Sequence, residues 1–379
     1  MKYITNCKIV LKDRIVCGKA LAYDEKISGI VCPCSIPEGA EVIDALGNYV
    51  APGFIDLHIH GYLGEDSSDG SAEGIRVMAE GIAKNGVTAW LPTTMTVSVD
   101  QLTKAFDTIA SLMEESKSWN GAAILGVNAE GPYINPKKKG AQAEEHILTP
   151  TAEFFKKYAD VIKITTVAPE MDKDFAMLKK LRRDTDILPS MGHTNATYEE
   201  ARAAIDNGVG HITHLFNAQT ALQHRNPGVV GAALTSDVTV ELICDTFHIH
   251  KALFSLVAKC KGDKLCLITD CTRAGGMPDG EYDLGGQKFY LKGIECILED
   301  GTIAGSVLRM NDAVKNVKDN TDLPLYEVVN AASLNPAKAI KVDGAKGSIA
   351  PGKDADLVIF DEDIRIQKTI IGGFVRYEA

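Results

Sequence analysis

Between Gly53 and Asp270 the chain alternates short apolar runs with longer stretches whose apolar residues recur every three or four positions. The apolar runs are "GFIDLHIH", "VTAWLPTT", "AILGVNAEGP", "IKITTVAPE", "ILPSMGH", "HITHLF", "TVELICD" and "KLCLITD". Each has the length of a strand. In the stretch after the second run, Leu102, Ala105, Phe106, Ile109, Leu112 and Met113 fall at helical spacing. Ser98 with Gln101 and Thr197 with Glu200 have capping-box spacing, and Thr149 precedes Pro150, a favourable first helical residue. Gly86 and Gly208 sit where helices should stop. Eight strand–helix repeats predict an α/β fold, a (β/α)8 barrel of the TIM type. A doubly wound open sheet is the alternative, but no G-x-G-x-x-G follows the first run to support it.

The ends of the chain have a different texture. Residues 1–50 alternate apolar and polar positions between turn signals, and so does the closing "GSIAPGKDADLVIFDEDIRIQKTIIGGFVRYEA". The expectation is a small β-sandwich domain built by 1–50 together with 341–379, beside a barrel spanning 51–340.

Composition alters this picture little. Hydrophobic residues make up 45% and charged residues 24%, as in an ordinary globular protein. The net charge of −11 argues against a nucleic-acid partner, while a few local cations would still suffice for an anionic substrate. No run reaches the roughly 18 apolar residues of a membrane span, and the opening "MKYITNCKIVLKDRIVCG" lacks the pattern of a secretory leader. Nine scattered cysteines suit reduced thiols and a cytoplasmic location. Cys32 and Cys34 form a "CPC" pair, but a zinc site needs a second pair and none is nearby.

The polar residues inside the apolar runs carry the chemistry. Side chains alternate along a strand, so Asp56, His58 and His60 share one face of the first run. In a barrel that face looks inward, and His60 stands at the C-terminal rim where barrel active sites are built. Glu130 closes the third run, His193 the fifth and Asp270 the eighth, while the sixth carries His214. These are metal ligands and proton carriers converging on one rim from five strands. Burying them together with no cation would be costly.

The segments "PGFIDLHIHG", "AEGPY", "GHTNA", "THLFNA" and "LITDCT" resemble the amidohydrolase superfamily. "EGPYINPKKKGAQ" and "HLFNAQTALQHRNPGVVGA" are similar, more narrowly, to its members that deacetylate phosphorylated amino sugars. The resemblance implies a divalent cation (Zn, Fe or Mn) held by Glu130, His193 and His214. A second can be held by His58 and His60 with Glu130 bridging. Asp270 would serve as general base and acid. It further implies that the backbone amides of Asn217 and Ala218 hold the phosphate of a phosphorylated amino-sugar substrate. His248 would touch the sugar, and Leu308, Arg309 and Met310 would line the acetyl pocket. Arg225 would reach the phosphate in a neighbouring subunit, which implies a homodimer. Gln142 replaces a histidine common in the family; it still donates a hydrogen bond but carries no charge. Lys137 to Lys139 read as a solvated loop, with steering of the phosphate as the alternative. His146 and His211 match nothing and are expected to be structural. The rival functions are another amidohydrolase, such as a cyclic amidase or base deaminase, and a catalytically silent scaffold.

Overall fold

All eight apolar runs become strands of one parallel barrel, numbered here β1 (Phe54–Ile59), β2 (Val87–Thr94), β3 (Val127–Glu130), β4 (Ile162–Val167), β5 (Leu188–Met191), β6 (His211–Ile212), β7 (Thr239–Ile243) and β8 (Leu265–Ile268). The computed structural model describes residues 1–379. Each strand pairs in parallel with the next in chain order. The segment leaving β8 returns to β1. Asp270 N donates to the His58 carbonyl at 2.8 Å, and His60 N donates to the Cys271 carbonyl at 2.9 Å. An open sheet would leave both edges unpaired, so this closure settles the choice in favour of the barrel.

The helix signals fared unevenly. Thr197 and Glu200 form the full capping box on helix Tyr198–Asp206. Ser98 caps helix Val99–Leu112, but the Gln101 side chain turns to the Ser68 carbonyl, so the reciprocal bond is absent. Thr149 starts no helix. Pro150 favours an extended residue before it, and Thr151 caps the short helix Ala152–Lys156 instead. Gly86 and Gly208 lie just past helix ends with φ of 83° and 127°.

Both chain ends form one β-sandwich. One sheet holds Lys2–Thr5, Ala20–Tyr23, Ile27–Val31 and Glu41–Asp44. In the other, Tyr49–Pro52 lies between Lys8–Val10 and Leu357–Phe360. Ile4, Leu21 and Ile27 from the first sheet pack with Ile9, Val50, Leu357 and Ile370 from the second in a core separate from the barrel's. A three-stranded antiparallel insert, Gly280–Leu284, Gln287–Lys292 and Glu295–Leu298, follows β8 and was not expected from the sequence. No helix is long and apolar enough to cross a membrane.

Candidate metal centre

Alternation along β1 sends His58 and His60 to the same face as Asp56, and all three are buried. Glu130 is the last residue of β3, while His193, His214 and Asp270 each lie two residues past the ends of β5, β6 and β8. These three have φ of 45°, 27° and 51°. Left-handed backbone at a non-glycine residue costs on the order of 1–3 kcal/mol and persists only where the surroundings hold it. Gly192 precedes His193 because nothing larger fits: a Cβ there would lie 2.6 Å from Thr213 Cβ and 2.9 Å from Thr166 Cγ2.

The six side chains form two groups joined by one carboxylate. In the first, Glu130 Oε1 lies 3.2 Å from His193 Nε2 and 3.0 Å from His214 Nε2, with the two nitrogens 3.1 Å apart. In the second, His58 Nε2 lies 3.2 Å from His60 Nε2, and Asp270 Oδ1 is 3.4 and 3.3 Å from these nitrogens. Glu130 also reaches the second group, with Oε1 3.5 Å from His58 Nε2 and Oε2 3.3 Å from His60 Nε2. Asp270 thus belongs to the His58–His60 group as a third potential ligand, a placement the sequence had not suggested.

Tautomers make these distances informative. The Lys138 carbonyl oxygen, 2.9 Å from His193 Nδ1, can only accept, so the proton of a neutral His193 sits on Nδ1. Its Nε2 lone pair then faces the Glu130 oxygen. His58 is set the same way, with Nδ1 donating to Glu241 Oε2 at 3.0 Å. Acceptors turned on acceptors at about 3 Å need a shared proton or a cation between them. The titration behaviour agrees. Burial pulls the His58 imidazole down, but Glu241, Glu130 and Asp270 outweigh it and bring its pKa to about 9. Burial pushes Glu130 up, yet His193 and His58 hold it well below the carboxylate range. A divalent ion replaces such protons when it binds, so the residues present fit a metal centre.

Glu241 is a further member of this network, one not singled out from the sequence. It is fully buried on β7; Oε2 accepts from His58 Nδ1 and from His214 N at 3.0 Å, and Oε1 accepts from His211 Nε2 at 3.1 Å. Burial pushes its pKa up, but His58 and His211 bring it far below the ordinary value. The available signal was an acidic residue in the middle of the apolar run "TVELICD", which cannot stay buried unpaired. His211, expected to be structural, is buried and donates to Glu241, and it does not line the cleft. Cys32 and Cys34 are exposed in the terminal domain and join neither ligand group.

A cleft of about 340 Å³ opens over the two groups. Glu130, His60, His193, His214 and Asp270 line its floor, and Gln142, Asn217, Ala218 and His248 its walls. His248 Nδ1 donates to Asp245 Oδ2 at 2.6 Å, which leaves Nε2 as an acceptor. Asn217 N is bonded to the His214 carbonyl in a tight turn, and Ala218 has φ 51°. Lys137 and Lys138 also line the cleft, so part of the basic loop borders the site rather than only solvent. Arg225 lies in the exposed loop 221–226 and is not part of this chain's own cleft. Leu308 and Met310 are buried and Arg309 pairs with Asp312 at 2.7 Å. Met310 opens helix Met310–Asn320 and packs into the core, while Thr302, Ile303 and Gly305 line the cleft from that segment.

The amidohydrolase family model matches residues 49–375. The chain is similar to the N-acetylglucosamine-6-phosphate deacetylase of Bacillus subtilis (strain 168), 38% identical over 348 residues, or 90% of this chain and 88% of that protein. It is 34% identical to the N-acetylgalactosamine-6-phosphate deacetylase of Escherichia coli O157:H7, over 89% of this chain and 90% of that one. The crystal structure of N-acetylglucosamine-6-phosphate deacetylase from Pasteurella multocida superposes with a TM-score of 0.94 at 34% identity, covering 100% of both chains.

Proposed function

Because the chain belongs to the amidohydrolase family, we propose that it hydrolyses the acetamide of N-acetyl-D-glucosamine 6-phosphate to D-glucosamine 6-phosphate and acetate, a step of amino-sugar catabolism. The observation that carries this reading is Glu130 shared between two imidazole pairs, with Asp270 beside them at the floor of the cleft. That convergence also speaks against a silent scaffold.

Glu130, His193 and His214 would hold one divalent ion, and His58 and His60 a second with Glu130 shared; Zn, Fe and Mn all accept this donor set. A bound ion supplies Lewis acidity, lowering the pKa of water to about 7 in good cases and polarising the amide carbonyl. Asp270 does the proton work. Burial pushes its carboxyl up, but His58 and His60 bring its pKa below the ordinary value in the metal-free chain; a bound cation would favour the ionised form in their place, leaving Asp270 able to accept the proton of the attacking water. It then returns that proton to the departing sugar nitrogen, since an unprotonated amine leaves slowly. His248, oriented by Asp245, would hold the sugar through Nε2. Asn217 and Ala218 would hold the phosphate, so that its binding fixes the amide over the centre. Lys137 and Lys138 are placed to attract that phosphate. The nine free cysteines support a cytoplasmic location.

The test is acetate release from a panel of N-acetylated sugars, with and without phosphate. The relative acting on N-acetylgalactosamine 6-phosphate makes the 4-epimer the second substrate to include. Metal-dependent release from the phosphorylated glucosamine derivative is expected; no release from any phosphorylated member at full metal content would overturn the reading. We also assign Arg225 to the phosphate of a second copy in a homodimer. Arg225→Ala should raise KM for the phosphorylated substrate more than tenfold, with kcat nearly unchanged, since a charged hydrogen bond contributes roughly 1.5–3 kcal/mol. An unaltered preference for the phosphorylated sugar would refute the clamp.

A further inference from the structure

Gln142 is buried at the wall of the cleft, and both ends of its amide are engaged. Oε1 accepts from Thr96 N at 2.6 Å, and Nε2 donates to Glu130 Oε2 at 2.5 Å. A backbone N–H only donates and an ionised carboxylate only accepts, so the amide has one workable orientation. Turning it over would set donor on donor and acceptor on acceptor.

The anchor and the carboxylate are also held together. A Cβ on Gly131, the residue after Glu130, would lie 2.0 Å from Thr96 Oγ1. The end of β3 is therefore packed directly on the segment that carries the Thr96 N–H. Gln142 spans this rigid corner and takes one lone pair of Oε2 without adding charge. What remains of the carboxylate is divided. Oε1 faces His214, His193 and His58 at 3.0, 3.2 and 3.5 Å, and Oε2 faces His60 at 3.3 Å. A carboxylate free to turn about its terminal bond could offer both oxygens to one group.

We infer that Gln142 is a positioning residue that holds Glu130 across both ligand groups, so that the His58–His60–Asp270 group retains its ion. This rests on the two-ion reading given above. It differs from a role in touching substrate, although one Nε2 hydrogen remains for the cleft. Partners that orient metal ligands typically contribute 10–100-fold in metal affinity or activity.

The experiment follows ion release with no substrate present. Wild-type and Gln142→Met chains, loaded with Mn²⁺ or Zn²⁺, are dialysed against graded chelator and their metal content is measured. The wild type should hold two ions and release them in two steps. Gln142→Met should lose the first ion at chelator concentrations at least about tenfold lower, with the second step unmoved. The retained second ion reports that the barrel is folded. Should Gln142→Met hold no ion and lack helical circular dichroism, Gln142→Asn decides: it keeps an amide in the pocket but is one methylene too short to reach both partners. Unchanged release in a folded variant overturns the inference, all the more if KM rises, which would make Gln142 a substrate contact. A wild-type chain that holds a single ion at saturation also overturns it. Stepwise release with the expected shift, in a chain that deacetylates no phosphorylated sugar, supports the inference and sinks only the proposed substrate.

Discussion

Replacing Asp270 with Asn should lower kcat by roughly 10²–10⁴-fold, the usual contribution of a positioned acid–base group, while KM and the ion held by Glu130, His193 and His214 stay close to wild type. The substitution keeps the shape of the side chain and an oxygen that can lie near His58 and His60. It removes the one property the reaction needs, a carboxylate that accepts a proton from water and hands it to the leaving nitrogen. Asp270 is placed for this by backbone as well as side chain: its N–H donates to the His58 carbonyl, and its own carbonyl accepts from Ser306 N, both at 2.8 Å. The variant therefore changes chemistry with little change in position. Steady-state kinetics beside elemental analysis checks the result. A variant that turns over near the wild-type rate would remove Asp270 from the proton-transfer role.

Glu241→Ala should act on stability and on metal affinity together. The carboxylate accepts from two imidazoles and one backbone N–H with no exposure to water. Removing one partner of such a buried set typically costs about 3–5 kcal/mol, because the remaining groups stay buried without their counter-charge. His58 would also lose the bond that sets its tautomer, and ion binding at the His58–His60 group should weaken by about 10–100-fold. Denaturant unfolding of the metal-free chain reads the first effect, and metal titration the second. The pH dependence has a definite sign. Folding lowers the pKa of Glu241, so its stabilisation is complete above the unfolded carboxylate value of about 4.3 and is lost as acid drives the pH down toward the folded pKa. The variant should therefore lose less stability than wild type as the pH falls below about 4. Equal acid sensitivity in the two chains would show that Glu241 is not held ionised by His58 and His211.

Much of the fold can be read along the chain because its signals are local. The eight apolar runs, the Thr197–Glu200 cap and the glycines at 86 and 208 depend on neighbours a few residues away. The failures differ in origin, one tertiary and one local. Gln101 had a competing acceptor at Ser68, and Pro150 favoured extended backbone before it. The insert after β8 carries a local signal as well, since "QKFYLK" alternates as a strand should, with Phe289 and Leu291 buried and Tyr290 exposed.

The sequence by itself determined which residues could form the centre: the alternation that puts His58 and His60 on one face, and the acids and imidazoles at strand ends. Only the tertiary structure decided how they meet. His58 and Glu241 are 183 residues apart, and their contact depends on the barrel closing in one register. The same closure sets Asp270 against the His58–His60 pair, and loop packing turns Gln142 toward Glu130. Periodicity is written in the few residues around a position, whereas the partner of a side chain on another strand is fixed only when the sheet closes.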